Sequence, residues 1–184
     1  MRTLIRAAVL ALASQYATVA PELAAQGSRG RGSPAGPACA LVTQKEVEAA
    51  TGMDYPPGKD IEQEYEHIEG GATCMWGGPG GFVREDLPEI NVSLIAANAR
   101  GSHTEQRRKQ RLPPGCSREP VQGVGDAAFA EVCEKGLYGV SVYARTGGHD
   151  VLVSAYATKG LGKASVKPVA IALAKAAALR ARDK

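Results

Sequence analysis

Four cysteines, three histidines and one run of alternating carboxylates carry most of the reactive chemistry in this sequence. Cys39, Cys74, Cys116 and Cys133 could serve as zinc thiolates, as nucleophiles or as disulfide partners. Zinc sites of four thiolates use short Cys to Cys spacings, and none of these four lies close to another in sequence. No cysteine neighbours a histidine either, so the expectation is pairing, for which four cysteines allow three connectivities. Cys39 with Cys74 and Cys116 with Cys133 is the favoured pairing, because each pair brackets one structural unit. The first unit is a helix and its following strand, and the second is a loop and its following strand.

A hydrolase would have to be assembled from His67, His103 or His149 with Ser102, Ser141 or an acidic residue. Such a site needs nucleophile, base and orienting group in mutual reach, and neither a nucleophile elbow nor a zinc-protease signature is present. No catalytic residue, metal ligand or cofactor site is therefore assigned. Glu62, Glu64 and Glu66 alternate within Ile61 to Ile68 and would line one side of a strand. Three aligned carboxylates could recruit a hard cation such as calcium, but they also suit a charged edge strand that resists aggregation, which is the reading preferred. Arg107, Arg108, Lys109 and Arg111 form the densest basic cluster and offer a contact for an anion: phosphate, acidic polysaccharide or a lipid headgroup. No aromatic residue is interleaved for base stacking, so nucleic acid is not an expected partner. Gly123 and Gly125 with Ala128 begin like a dinucleotide fingerprint. That fingerprint requires a strand before and a helix after, whereas here a Pro-rich loop leads into strand-like Ala127 to Cys133, so the glycines read as a turn.

The elements that position these groups are signalled locally. Thr43 and Glu46 form a capping box with Val42 and Val47 as its hydrophobic staple, and Gly52 ends the helix, which places it over 44–51. Ala72 to Trp76 reads as a short strand with Cys74 and Trp76 on one face, Trp76 packing against the bridge. Glu89 to Ala96 alternates as a core strand. Ser102 and Glu105 suggest a second capping box opening a helix that stops before Pro113 and Pro114. Segments 137–144 and 150–157 form a hairpin around 145–149, with Val140, Val142, Val151 and Val153 on one face. Ser141, Tyr143, Ser154 and Tyr156 fall on the other face, where two tyrosines offer amphipathic contact area. Ser165 is placed to cap a final Ala-rich helix that tolerates Pro168 in its first turn and covers the valine face. The expected fold is α+β: an antiparallel sheet of about five strands covered by helices, in the order αββαβββα.

With 184 residues, 44% of them hydrophobic and 22% charged, the chain suits one compact domain and a short extension. A net charge of +3 is too small to argue for nucleic acid, and no run reaches the ~18 apolar residues of a membrane span. Arg2 and Arg6 precede the apolar Ala7 to Ala13 and a small-residue segment ending at Ala25, the order of a secretory signal peptide over 1–25. Residues 26–37, rich in Gly, Ser, Arg and Pro, read as a flexible linker to a domain over 38–184. Gly36, Pro37 and Ala38 lack the apolar residue that lipid attachment at Cys39 would require upstream, so a soluble secreted or periplasmic form is expected. An even set of cysteines behind an export signal fits that compartment.

The succession of Cys39-Ala-Leu-Val-Thr-Gln-Lys-Glu-Val47 with Gly52, Cys74-Met-Trp76, Val121-Gln-Gly-Val-Gly-Asp126, a hairpin and an Ala-rich helix resembles a family of small exported bacterial proteins known from actinobacterial lipoproteins. The resemblance spans roughly residues 38 to 182. It implies an exported α+β domain with a bridge between Cys39 and Cys74, and it carries over no catalytic residue. The chain departs from the family in lacking the lipidation site. The function expected is a non-catalytic binding or interaction module of the cell envelope, its partner an envelope protein, a polymer or a small ligand. Its contact face would be Tyr143, Tyr156, Ser141 and Ser154. The alternatives are a small secreted hydrolase and a structural protein of the envelope.

Overall fold

The computed structural model describes residues 37–61, 71–77, 87–96 and 101–184, which fall within one compact unit, Ser33–Lys184. The expected leader, nearly all of the linker, and the Glu62, Glu64, Glu66 and His67 segment lie outside the described residues.

The first helix, α1 (Gln44–Thr51), has the capping box in full. Thr43 Oγ1 accepts from the Glu46 amide, and the Glu46 carboxylate accepts from the Thr43 amide at 2.8 Å. Gly52 closes the helix at φ 72°, a left-handed conformation that costs glycine nothing. Val42 and Val47, the staple residues, are both in the core.

Among the described residues seven antiparallel strands follow: β1 (Lys59–Asp60), β2 (Gly71–Trp76), β3 (Ile90–Ala96), β4 (Cys116–Val121), β5 (Ala127–Cys133), β6 (Gly139–Thr146) and β7 (His149–Tyr156). Helix α2 (His103–Lys109) lies between β3 and β4 in sequence, and α3 (Lys163–Ala181) ends the chain. The sheet order is β1-β2-β3-β7-β6-β5-β4. The observed element order, αβββαββββα, corrects the expected αββαβββα and its count of about five strands. Two edge strands account for the difference. β1 is only two residues long, and β4 contains Ser117, Arg118, Glu119 and Pro120, which carry no apolar alternation for a pattern to detect.

Pro120 is tolerated because of its register. Cys116 and Cys133 are directly opposed with Cα atoms 4.0 Å apart, the close spacing of a non-hydrogen-bonded pair, and Glu134 N donates to Gly115 O just beyond them. The same phase continues every second residue, so the backbone groups of Cys116, Arg118 and Pro120 point to the free edge. The Cys116 amide is taken by Pro113 O, and Pro120 has none to offer. β4 thus presents one amide donor to an incoming strand, which blunts the edge.

The glycines at 123 and 125 are a turn entering a strand, at φ 70° and 56°, but what precedes them is β4 rather than a Pro-rich loop. Gly125 could hardly be another residue, because a Cβ there would lie 2.3 Å from Arg145 O. The β6–β7 hairpin runs longer than expected. Thr146 pairs with His149, which leaves Gly147 and Gly148 as a two-residue turn with Gly147 at φ 55°.

α3 packs across β6 and β7 on the valine face, as its composition suggested. Its buried side includes Ala170, Ala174, Ala177, Ala178 and Ala181, small residues that let the helix approach Val140, Val142, Val151 and Val153 closely. Its start corrects the expectation: Gly162 is the N-cap with no side-chain cap bond, so Ser165 lies inside the helix and Pro168 in its second turn. There the proline removes the bond to Ala164, one that falls on the exposed side of the helix. The helix C-terminus is held by more than its dipole. Arg180 donates to Leu41 O at 2.7 Å and to both oxygens of Glu46 at 2.9 and 2.8 Å, while Arg182 pairs with Asp126 at 3.0 Å.

Both favoured disulfides are present, Cys39–Cys74 and Cys116–Cys133. In the first, Cys74 lies in the core with Trp76 on the same strand face, Cys39 is partly buried at its margin, and Gly58 closes over Cys74 and Trp76. A Cβ at Gly58 would sit 2.4 Å from Trp76 Cε2 and 2.7 Å from Cys74 Sγ. The second bridge lies on the other face of the sheet.

Candidate functional site

The face opposite α3 is built by alternation: Phe129, Glu131 and Cys133 from β5, Ser141, Tyr143 and Arg145 from β6, and Asp150, Leu152, Ser154 and Tyr156 from β7. α2 lies over part of this face, although its sequence, His-Thr-Glu-Gln-Arg-Arg-Lys, has no apolar side and Thr104 is its only fully buried residue. Such a helix is not held by hydrophobic burial. Polar tethers hold it at both ends.

At the N-terminus, Asp150 of β7 accepts from Ser102 Oγ and from the His103 amide, each at 2.6 Å. The carboxylate therefore meets the positive end of the helix. Ser102 also accepts from the Glu105 amide at 3.3 Å, but the Glu105 side chain pairs with Arg145 instead of turning back. The second expected capping box is accordingly half formed, and Asp150 instead takes the amide of His103, the first helical residue. At the C-terminus, Arg118 of β4 donates to the carbonyls of Arg108 at 2.6 Å, Arg107 at 2.9 Å and Gln110 at 3.4 Å.

Between these ends lies Glu131, 3% exposed, with a guanidinium on each side. Arg107 donates to it from Nε at 3.1 and 3.0 Å and from Nη2 at 2.6 Å, while Arg118 donates from Nε at 3.1 Å and Nη2 at 2.6 Å. One carboxylate between two guanidiniums leaves this centre with one positive charge in excess. The bond to Glu131 raises the pKa of Arg107 further above its ordinary value.

Aromatic rings fill the space beneath the helix. Phe129 and Tyr143 stack with centroids 5.0 Å apart, and His103 lies against Tyr143 at 6.0 Å. The guanidinium carbons of Arg107 over Tyr143, and of Arg108 and Arg118 over Phe129, are 5.8, 5.4 and 5.0 Å from the ring centroids. Burial raises the pKa of the Tyr143 hydroxyl, reinforced by the Glu131 carboxylate and opposed by Arg107.

The sequence-based contact face is thus partly inside the structure. Tyr143 is 9% exposed and Ser154 7% exposed, while Ser141 and Tyr156 are half-buried. Ser141 and Ser154 oppose each other in register and share a hydrogen bond of 2.8 Å. The ring of Tyr156 covers Gly139 across the hairpin, where a Cβ would stand 2.7 Å from its Cδ1. Of the basic cluster, Arg107 is committed to Glu131, while Arg108, which lies over Phe129, Lys109 and Arg111 are all exposed.

Of the residues considered for hydrolysis, Ser102 and His103 meet Asp150 at the start of α2, but His103 reaches that carboxylate through its backbone amide and its ring lies against Tyr143. Ser102 directs its hydroxyl proton to Asp150, Ser141 is paired with Ser154, and His149 stands opposite Thr146 on the α3 face. Among the described residues, no three His, Cys, Asp or Glu side chains are grouped to hold a metal ion.

Sequence reasoning passed over Phe129, Glu131, Arg118 and Asp150. Period two does put Phe129 and Glu131 on one face of β5, so half of that signal was readable. Arg118 needed β4 to be recognised as a strand, and the partnership of Asp150 with Ser102 spans 48 residues. No protein-family model, curated protein or solved structure matches this chain.

Proposed function

We propose that the protein is an exported, non-catalytic binding module of the bacterial cell envelope, related to the actinobacterial lipoproteins its motifs resemble. It makes contact through the sheet face beside α2. The observation that carries this reading is the arrangement of Ser141 and Tyr156: both are half-buried on the same sheet face as Ser154, Tyr143 and Glu131, and Ser141 is hydrogen-bonded to Ser154. Partly exposed hydroxyls and phenols held on rigid strands bind a polar partner at little cost in side-chain entropy. Two disulfide bridges support an extracytoplasmic location. Lys109 and Arg111, exposed at the end of α2, supply the anion contact on the same side.

The test starts with native mass spectrometry of the full-length product after export in a bacterial host. A species of residues 26–184 with both bridges closed is expected, carrying an additional non-covalent mass or co-sedimenting with envelope. Tyr156→Ala and Ser141→Ala should each weaken that association while the protein stays folded by circular dichroism. Retention of the association in the double variant would remove this face as the contact surface.

A further inference from the structure

The two disulfides lie in unlike surroundings. In the first, Cys39 is partly exposed but Cys74 is fully buried, its sulfur close under the backbone of Gly58. Cys116 and Cys133 are both partly exposed and join directly opposed residues of the terminal strand β4 and its neighbour β5. Thiol–disulfide exchange requires an attacking thiolate to reach one sulfur and a leaving thiolate to be accommodated; attack at Cys39 would expel the Cys74 thiolate into the apolar core, whereas at the second bridge either cysteine can be attacked and either can leave toward solvent.

What that bridge holds is α2. The C-terminal half of the helix is tied to the sheet through Arg118, which takes its last carbonyls, and through Glu131, which takes Arg107. Arg118 stands two residues after Cys116, and Glu131 two residues before Cys133, both on the same face as the bridge. Both tethers therefore depend on β4 and β5 staying in register. Burial gives α2 little other hold, with Thr104 alone fully buried.

We propose that Cys116–Cys133 is a thiol–disulfide exchange site that locks the α2 clasp. Its reduction by a dithiol frees the C-terminal half of α2 while Cys39–Cys74 stays closed. In the first step a dithiol thiolate attacks one sulfur, the Cys116–Cys133 bond breaks, and the departing thiolate takes a proton. The second thiol of the reductant then displaces the mixed disulfide. Two electrons and two protons pass to the protein, which ends with two thiols, and the reductant ends as its own disulfide. Release uncovers Phe129 and Tyr143 next to the contact face. The regulatory consequence rests on the binding role proposed above; the exchange and the loosening do not.

The experiment uses the folded full chain, graded dithiothreitol, pulse alkylation with peptide mapping, and amide hydrogen exchange. Cys116 and Cys133 should be alkylated at dithiothreitol concentrations that leave Cys39 and Cys74 paired. Amides over 103–121 should then exchange about a hundredfold faster, the opening expected when the restraint of a loop of this size is lost. Arg118→Ala with both bridges closed should loosen the end of α2 by itself. Concurrent reduction of both bridges, resistance of Cys116–Cys133, or unchanged exchange over α2 would overturn the proposal. Selective reduction with a loosened α2 but unaltered envelope association would uphold the exchange site and count against the binding face alone.

Discussion

At the scale of single residues, two positions are held with little tolerance. Gly58 is needed for space, since its backbone approaches Trp76 and the Cys74 sulfur too closely for a Cβ. Gly58→Ala should cost about 2 kcal/mol through overpacking. Gly148→Ala, where nothing lies within 4 Å of the added carbon, serves as the control, with thermal melting as the measurement. Glu131 is needed for charge. Glu131→Ala strands two partly buried guanidiniums and should lower stability by about 3 kcal/mol in chemical denaturation. Glu131→Gln should recover part of that loss, because the amide keeps the shape and one acceptor. An unchanged midpoint in Glu131→Ala would mean that the arginines find water at no cost and that the centre does not secure α2.

The secondary elements are joined in two different ways. α3 is held on the sheet by close apolar packing, whereas α2 and the end of α1 depend on charged groups. The clasp between α1 and α3 is Glu46, whose pKa the Arg180 hydrogen bonds lower from 4.5 to about 2. A depressed carboxylate contributes stability above its unfolded pKa and loses it as pH falls through the folded one. The contribution is therefore complete above about pH 4.5 and fades toward pH 2. Because the pair is well exposed, solvent screening keeps its worth near 1 kcal/mol. Urea midpoints measured from pH 6 to pH 2 should fall more steeply in the parent protein than in Arg180→Ala. Parallel curves would remove the clasp as a source of acid sensitivity.

For the molecule as a whole, the open problem of a seven-stranded sheet is its two ends. β1 is too short to template another chain, and β4 is blunted by Pro120 and by the Cys116 amide turned back to Pro113. Pro120→Thr restores a donor on the free edge and should raise self-association, measured by light scattering across a concentration series. A variant that stays as monodisperse as the parent would show that the proline is not what protects this edge. How much of the architecture could be read in advance follows from the range of the interactions involved. The capping box at Thr43, the alternation over 89–96 and in the hairpin, and the Ala-rich composition of α3 are local signals. They are legible because caps and periodicity act within a few residues. The cysteine pairing belongs with them, since each bridge encloses neighbouring elements. β4 was hidden, because an edge strand need not alternate apolar and polar residues. The start of α3 was misplaced, because a residue suited to capping does not cap where the helix already begins at Gly162. The α2 site depended almost wholly on tertiary structure. Its anchors Asp150, Arg118 and Glu131 come from three different strands, and only the register of the sheet brings those charges to one helix. The sequence alone determined which faces the strands would bury, while the folded structure decided which charges would meet, because burial follows local periodicity and ion pairing follows three-dimensional proximity.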